Sequence, residues 1–168
     1  ILVTFGGLDE KGMADLFLDS LNEYVRELKI KIILGPIATK SKKVLEFSKK
    51  YSKNIEFIQE TKNMHNEILK SKFGFTTGGV TTYEFASMNV PFIVICDDLH
   101  QIPTAREWDK KNAAINLGFL NSRTSKKITK VVADIAEGKM NYVSNKNIVD
   151  GLGATRVSSE IFKLFNFK

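Results

Sequence analysis

Apolar positions along this chain alternate between short unbroken runs and longer stretches spaced by three and four. The runs at residues 1–5, 30–34, 55–58, 73–76, 91–96 and 115–117 read as strands. Between them, residues 12–28, 40–51, 63–70, 81–88, 102–113 and 125–137 read as helices. The first helix carries Met13, Leu16, Phe17, Leu21, Tyr24, Val25 and Leu28 on one face. The second turns Val44, Leu45 and Phe47 inward. A last helix is expected over 148–165, with a break at 151–153 where two glycines stand. Strands that are apolar throughout, alternating with helices, predict an α/β fold in which a parallel sheet is covered on both faces. About six strands is the number of a Rossmann-like doubly wound sheet. With no long linker and no internal repeat, one domain is expected over 1–168.

Composition adds exclusions. The 168 residues are 43% apolar and 26% charged, which rules out wholesale disorder and a disulfide scaffold. No apolar run approaches the roughly 18 residues of a membrane span. The net charge of +6 is mostly lysine, with arginine only at 26, 106, 123 and 156. Nucleic-acid readers favour arginine with interleaved aromatics, so the lysine clusters read as a solvated surface and no nucleic-acid partner is expected. Cys96 has no second cysteine to pair with, which fits a reducing cytoplasm. The chain opens inside an apolar run without an initiator Met, so a fragment lacking an upstream part is expected.

In an open parallel sheet, ligands sit beyond the carboxyl ends of the strands. Four segments fall there: 6–9, 58–61, 77–84 and 97–101. Gly6-Gly7 lets backbone pass close to a ligand. It is neither G-x-G-x-x-G nor a P-loop, and on its own it equally describes a tight strand-to-helix turn. The sharper segment is Thr76-Thr77-Gly78-Gly79-Val80-Thr81-Thr82-Tyr83-Glu84. N–H groups at a helix start bind phosphate, Thr81 and Thr82 add hydroxyl donors, and Glu84 can accept from a ribose diol. Thr81-x-x-Glu84 also matches a capping box, which needs no ligand. Both readings stand and are compatible. Asp97-Asp98-Leu99-His100-Gln101 offers groups for sugar hydroxyls, or a solvated loop that caps the next helix. Neither a metal site nor a cofactor fingerprint is present in the spacing, and no catalytic residue is assigned. His65, His100, Cys96 and Trp108 have structural readings that suffice.

The glycine pair after the first strand and the Gly78-Gly79-Val80-Thr81-x-x-Glu84 segment after the fourth resemble the C-terminal domain of GT-B glycosyltransferases of the family 28 type. Residues 91–95 and the loop containing Gln101 continue the pattern. Within that group the chain is similar to the UDP-sugar hydrolases of pseudaminic-acid synthesis and their spore-coat-polysaccharide relatives. These share the Gly-Gly-Val-Thr-x-x-Glu segment and a tail like Val149-Asp150-Gly151-Leu152-Gly153-Ala154-Thr155-Arg156-Val157. The likeness runs from Ile1 to about Leu164. It departs at Leu8, where relatives often carry Ser or Thr, and around Ala105 and Arg106, where they often carry Asn.

The resemblance implies a UDP-sugar site. Gly78, Gly79, Val80, Thr81 and Thr82 would cradle the diphosphate, and Glu84 would hold the ribose. The Ile58 backbone would face the uracil, Gly6 and Gly7 would lie near the nucleotide, and Gln101 would touch the sugar. The implied reaction is attack of water on the anomeric carbon with UDP leaving. An N-terminal domain of the same protein would supply the rest, so no turnover is expected of this stretch alone. The same donor site would serve a UDP-sugar glycosyltransferase, or a non-catalytic subunit that needs a partner chain.

Overall fold

Six strands form one wholly parallel sheet in the computed structural model, which describes residues 1–140 and 148–165. They are β1 (Leu2–Thr4), β2 (Ile30–Leu34), β3 (Ile55–Gln59), β4 (Gly74–Thr77), β5 (Phe92–Cys96) and β6 (Ala114–Phe119), in the order β3-β2-β1-β4-β5-β6. The order reverses between β1 and β4, the switch point of a doubly wound Rossmann-like sheet. This is the fold class expected for the C-terminal half of a GT-B protein.

Both faces of the central strands are buried, which is why the runs are apolar without alternation. Val3, Ile32, Phe75, Ile93 and Ile95 pack toward α1 (Met13–Ser20), α2 (Lys42–Lys50) and α6 (Thr124–Ala136). Leu2, Ile33, Phe92, Val94 and Cys96 point the other way, toward α3 (Met64–Leu69), α4 (Thr81–Ser87) and α5 (Ile102–Lys110). The period-2 geometry of a strand thus feeds two cores at once. Phe17, Phe75, Phe85 and Phe92 are fully buried among them. Burying each such ring contributes roughly 1.5–3 kcal/mol.

Three expectations are corrected. The helix expected over 12–28 ends at Ser20, and a 3-10 turn, Asn22–Arg26, follows. Asn22 takes a left-handed φ of 47°, which an α-helix cannot contain. Leu45 does not face inward; it is exposed on α2, while Val44 is buried. The last helix breaks where expected, at Gly151 with φ 74°, but only the part beyond it, α7 (Gly153–Phe165), is helical; residues 148–150 are not. None of its described residues is buried.

Candidate functional site

The switch point sets the loops after β1 and β4 side by side at the carboxyl edge, with the loop after β5 next to them. Each of the three has a distinct chemistry.

After β1, Gly6 turns at φ 86°, and open space lies where side chains at Gly6 and Gly7 would project. The helix start that follows is already occupied. Asp9 folds over it, with Met13 N–H donating to Oδ1 at 2.7 Å and Ala14 N–H to Oδ2 at 3.0 Å. The carboxylate therefore takes the seat at the α1 N-terminus that an anion would otherwise fill. Burial pushes the Asp9 carboxyl above its usual range, against the pull of those two N–H groups. Nearby Asp15 and Asp97 add to the rise. Lys11 reaches across to donate its ammonium to the Asp97 carbonyl.

After β4, the chain leaves the sheet through Gly78 and Gly79 into α4. No N-cap side chain closes this helix. Val80 occupies the cap position and Thr81 is the first helical residue, so the capping-box geometry expected of Thr81 and Glu84 does not form. Glu84, half-buried in the first turn, has no hydrogen bond or ion pair to its carboxylate among the described residues. The N–H groups of Gly79, Val80 and Thr81 likewise have no partner among them. Open space stands over Gly79, and Val80 is exposed. Thr82 departs from expectation: its side chain is fully buried and its hydroxyl donates to Gly79 O at 2.6 Å, so it offers no proton to a ligand.

After β5, Gln101 is buried and bridges the two loops. Its Oε1 accepts from Gly78 N–H at 3.2 Å and from Asp97 N–H at 3.1 Å, and its Nε2 donates to Asp97 Oδ1 at 2.6 Å. Three bonds of the amide proposed for the sugar are thus made inside the protein. Asp98 accepts from His100 N–H at 3.2 Å, capping the short 3-10 turn Leu99–Gln101, and stands 2.8 Å from His100 Nδ1. Those contacts hold the Asp98 carboxyl below its usual range.

At the sheet edge, the structure shows how the Ile58 backbone is oriented. Asn54 O accepts from Ile30 N–H and Glu60 N–H donates to Leu34 O. Alternate peptides along a strand point the same way, so the Ile58 peptide is turned into the ladder toward β2. The outward-facing peptide there belongs to Gln59. The Gln59 side chain donates to Gly35 O at 2.6 Å and Ala38 O at 3.0 Å.

No role at the site was assigned from the sequence to Asp9, Lys11 or Gly35. A carboxylate two positions past a glycine pair and just ahead of a helix was the available signal for Asp9. Gly35 had none: a Cβ there would stand 2.0 Å from Gly7 O, a contact that only the fold creates. Among the described residues no cluster of His, Cys, Asp and Glu could hold a metal, and no helix is long and apolar enough to cross a membrane.

Comparison with known proteins adds a family and a fold. The model of the glycosyltransferase family 28 C-terminal domain matches residues 1–161. The spore coat polysaccharide biosynthesis protein SpsG of Bacillus subtilis is 21% identical over 171 residues, covering 98% of this chain and 50% of that protein. A Listeria monocytogenes structure assigned as a UDP-N-acetylglucosamine 2-epimerase superposes with a TM-score of 0.68 at 18% identity, over 99% of this chain and 46% of that one. The structure of S. aureus MnaA with UDP gives a TM-score of 0.65 at 23% identity, over 99% and 45%. At these identities the likeness establishes the fold alone. The chain spans about half the length of these relatives.

Proposed function

The chain belongs to the family of the glycosyltransferase family 28 C-terminal domain, and from that membership we propose that its carboxyl edge holds the UDP moiety of a UDP-sugar. One observation carries the reading. Among the described residues, the N–H groups of Gly79, Val80 and Thr81 have no partner, with open space over Gly79, and the Glu84 carboxylate, also without one, lies in the turn that follows. Unpaired donors next to a carboxylate suit a ligand that is an anion at one point and a diol at another. A nucleoside diphosphate is such a ligand. In this arrangement the three N–H groups bind diphosphate oxygens, Glu84 accepts from the ribose hydroxyls, and the bare backbone of Gly6 and Gly7 leaves room for the nucleotide. The UDP bound in the S. aureus MnaA structure supports this choice of ligand.

The reaction proposed is hydrolysis of a UDP-sugar that feeds surface-glycan synthesis, pseudaminic-acid-like or spore-coat. Water attacks the anomeric carbon and the C–O bond to UDP breaks. The unpaired N–H groups stabilise the charge that builds on the departing diphosphate. The name of the SpsG relative supports a polysaccharide pathway. A partner domain of the same protein would complete the cleft, in keeping with relatives about twice as long. A second reading, favoured by the family's own description, keeps this donor site and replaces water with an acceptor hydroxyl. The cytoplasm is the proposed compartment, where nucleotide sugars are made and where the buried free thiol of Cys96 stays reduced.

Titration calorimetry with UDP, CMP and inorganic phosphate tests the site. UDP binding with a weaker response to CMP and phosphate is expected; absence of heat at millimolar UDP would sink the proposal. Incubating the full-length protein with UDP-sugar in water then separates the two reactions, since only a hydrolase releases free sugar without an acceptor.

A further inference from the structure

Gln101 is the only side chain described as tying the loop after β4 to the loop after β5. Its amide sits in one orientation that chemistry permits. Oε1 faces two N–H donors and Nε2 faces a carboxylate; the flipped amide would set N–H against N–H and oxygen against oxygen. Contact reinforces the bonding. A Cβ on Gly78 would stand 2.6 Å from Gln101 Cβ and 3.2 Å from its carbonyl oxygen, so the loop backbone rests directly on this residue. The linkage continues outward, because Asp97, which holds Nε2, also offers its carbonyl to Lys11 from the loop after β1.

We infer that Gln101 is a positioning residue: by holding the Gly78 N–H inward it fixes the turn that points the N–H groups of Gly79, Val80 and Thr81 at the ligand. Gly78 is the first residue after β4, and its peptide orientation sets that of the next. With its N–H anchored on Oε1, the chain enters α4 with the following donors unpaired among the described residues. Without the anchor, the Gly78-Gly79 pair is free to sample many turns, and the three donors no longer converge. Preorganised donors bind an anion without first paying to be ordered. The inference rests on the proposed nucleotide site for its ligand, but the anchoring itself is readable without any ligand.

Two variants test it. Gln101→Met keeps the length of the side chain and removes every hydrogen bond. Gln101→Glu keeps Oε1 but faces Asp97 with a second carboxyl. When that carboxyl is protonated, its O–H can donate to Asp97 Oδ1 as the amide does. When ionised, it repels Asp97 and the brace opens. The other charged or titratable groups around the pair are Asp9 and Lys11 from the loop after β1, Asp98 and His100 on its own loop, and Arg106 on α5. The wild type carries the same groups and meets the same UDP, so each variant's affinity is expressed as a ratio to wild type at the same pH.

Amide hydrogen exchange of Gly78 in the unliganded protein and UDP affinity by calorimetry are the readouts, with melting midpoints confirming that each variant is folded. In Gln101→Met, Gly78 is expected to lose protection and UDP affinity to fall about tenfold, the scale of one neutral hydrogen bond. In Gln101→Glu, both are expected near wild type at pH 5 and near Gln101→Met at pH 8. Undiminished Gly78 protection in Gln101→Met would overturn the brace. Lost protection with wild-type UDP affinity would overturn its positioning role. Should the wild type itself fail to bind UDP, the nucleotide reading falls, while pH-dependent Gly78 protection in Gln101→Glu still decides whether Gln101 orders the loop.

Discussion

Two carboxylates at the ligand edge do opposite things. Asp9 is consumed by its own chain, since both oxygens accept backbone N–H groups of α1. The Glu84 carboxylate has no bond among the described residues. Replacing Glu84 with Ala should therefore leave the melting midpoint almost unchanged, within about 0.5 kcal/mol. The same change should weaken UDP by about 1.5–3 kcal/mol, the scale of hydrogen bonds to a charged group. Calorimetry and thermal melting on one sample give both values; a loss of stability without a loss of affinity would return Glu84 to a structural role. For Asp9 the prediction concerns pH. Its folded-state pKa lies above the ordinary value of 3.8 because burial disfavours the charge. The folded protein then holds the proton more tightly than the unfolded chain, so ionising Asp9 costs stability as pH rises from 3.8 through the folded pKa. Asn at this position cannot titrate. The stability of wild type relative to Asp9→Asn should accordingly increase as pH is lowered from 7 toward 4, measured by urea unfolding at each pH.

The glycines after β1 and β2 separate space from contact. Open space faces Gly7, whereas a Cβ on Gly35 would lie 2.0 Å from Gly7 O and 2.4 Å from its Cα. Gly7→Ala should thus be near neutral for stability. Gly35→Ala must displace backbone and should cost on the order of 3 kcal/mol; thermal unfolding of the two variants checks the contrast. The glycine pair was visible in the sequence, and the one that matters for packing stood apart from it at the end of β2. The same limit recurs elsewhere. Strand positions were legible because burial on both faces leaves an apolar run. The helix break at Asn22 was not, because Val25 stays buried in the 3-10 turn and preserves the spacing of three and four. Thr81 and Glu84 carry the letters of a capping box, but the chain enters α4 one residue earlier, at Val80, and the pattern goes unused. Gln101 was legible as a polar side chain at the right edge. Its bond to Gly78 was not, since the partner lies 23 residues away in sequence.

Everything proposed for the nucleotide is built from the first 101 residues, on loops that the central strands hold from below. The tail beyond β6 and α6 stands outside that arrangement. Ile148 and Val149 pack partly against the core cluster of α3, α4 and α5. Past them Asp150 turns the chain outward, accepting from Leu152 N–H at 3.0 Å and pairing with the Arg156 guanidinium. That guanidinium, with the backbone bond, brings the Asp150 carboxyl down to about 2. The pairing is fully exposed and orders the entry into α7 without fastening the helix to the sheet. α7 itself places Val157, Ile161, Phe162, Leu164 and Phe165 in solvent. A helix that buries nothing contributes little to folding, because helical stability in proteins comes mainly from packing an apolar face. Ending the chain after Leu152 should therefore keep the melting midpoint within about 2 °C, less than the shift of a single kilocalorie for a domain of this size. UDP affinity should also stay within about twofold, as no donor to the proposed site comes from the removed residues. A large fall in midpoint would mean that α7 packs on the sheet in solution. A fall in affinity alone would place a tail residue at the nucleotide.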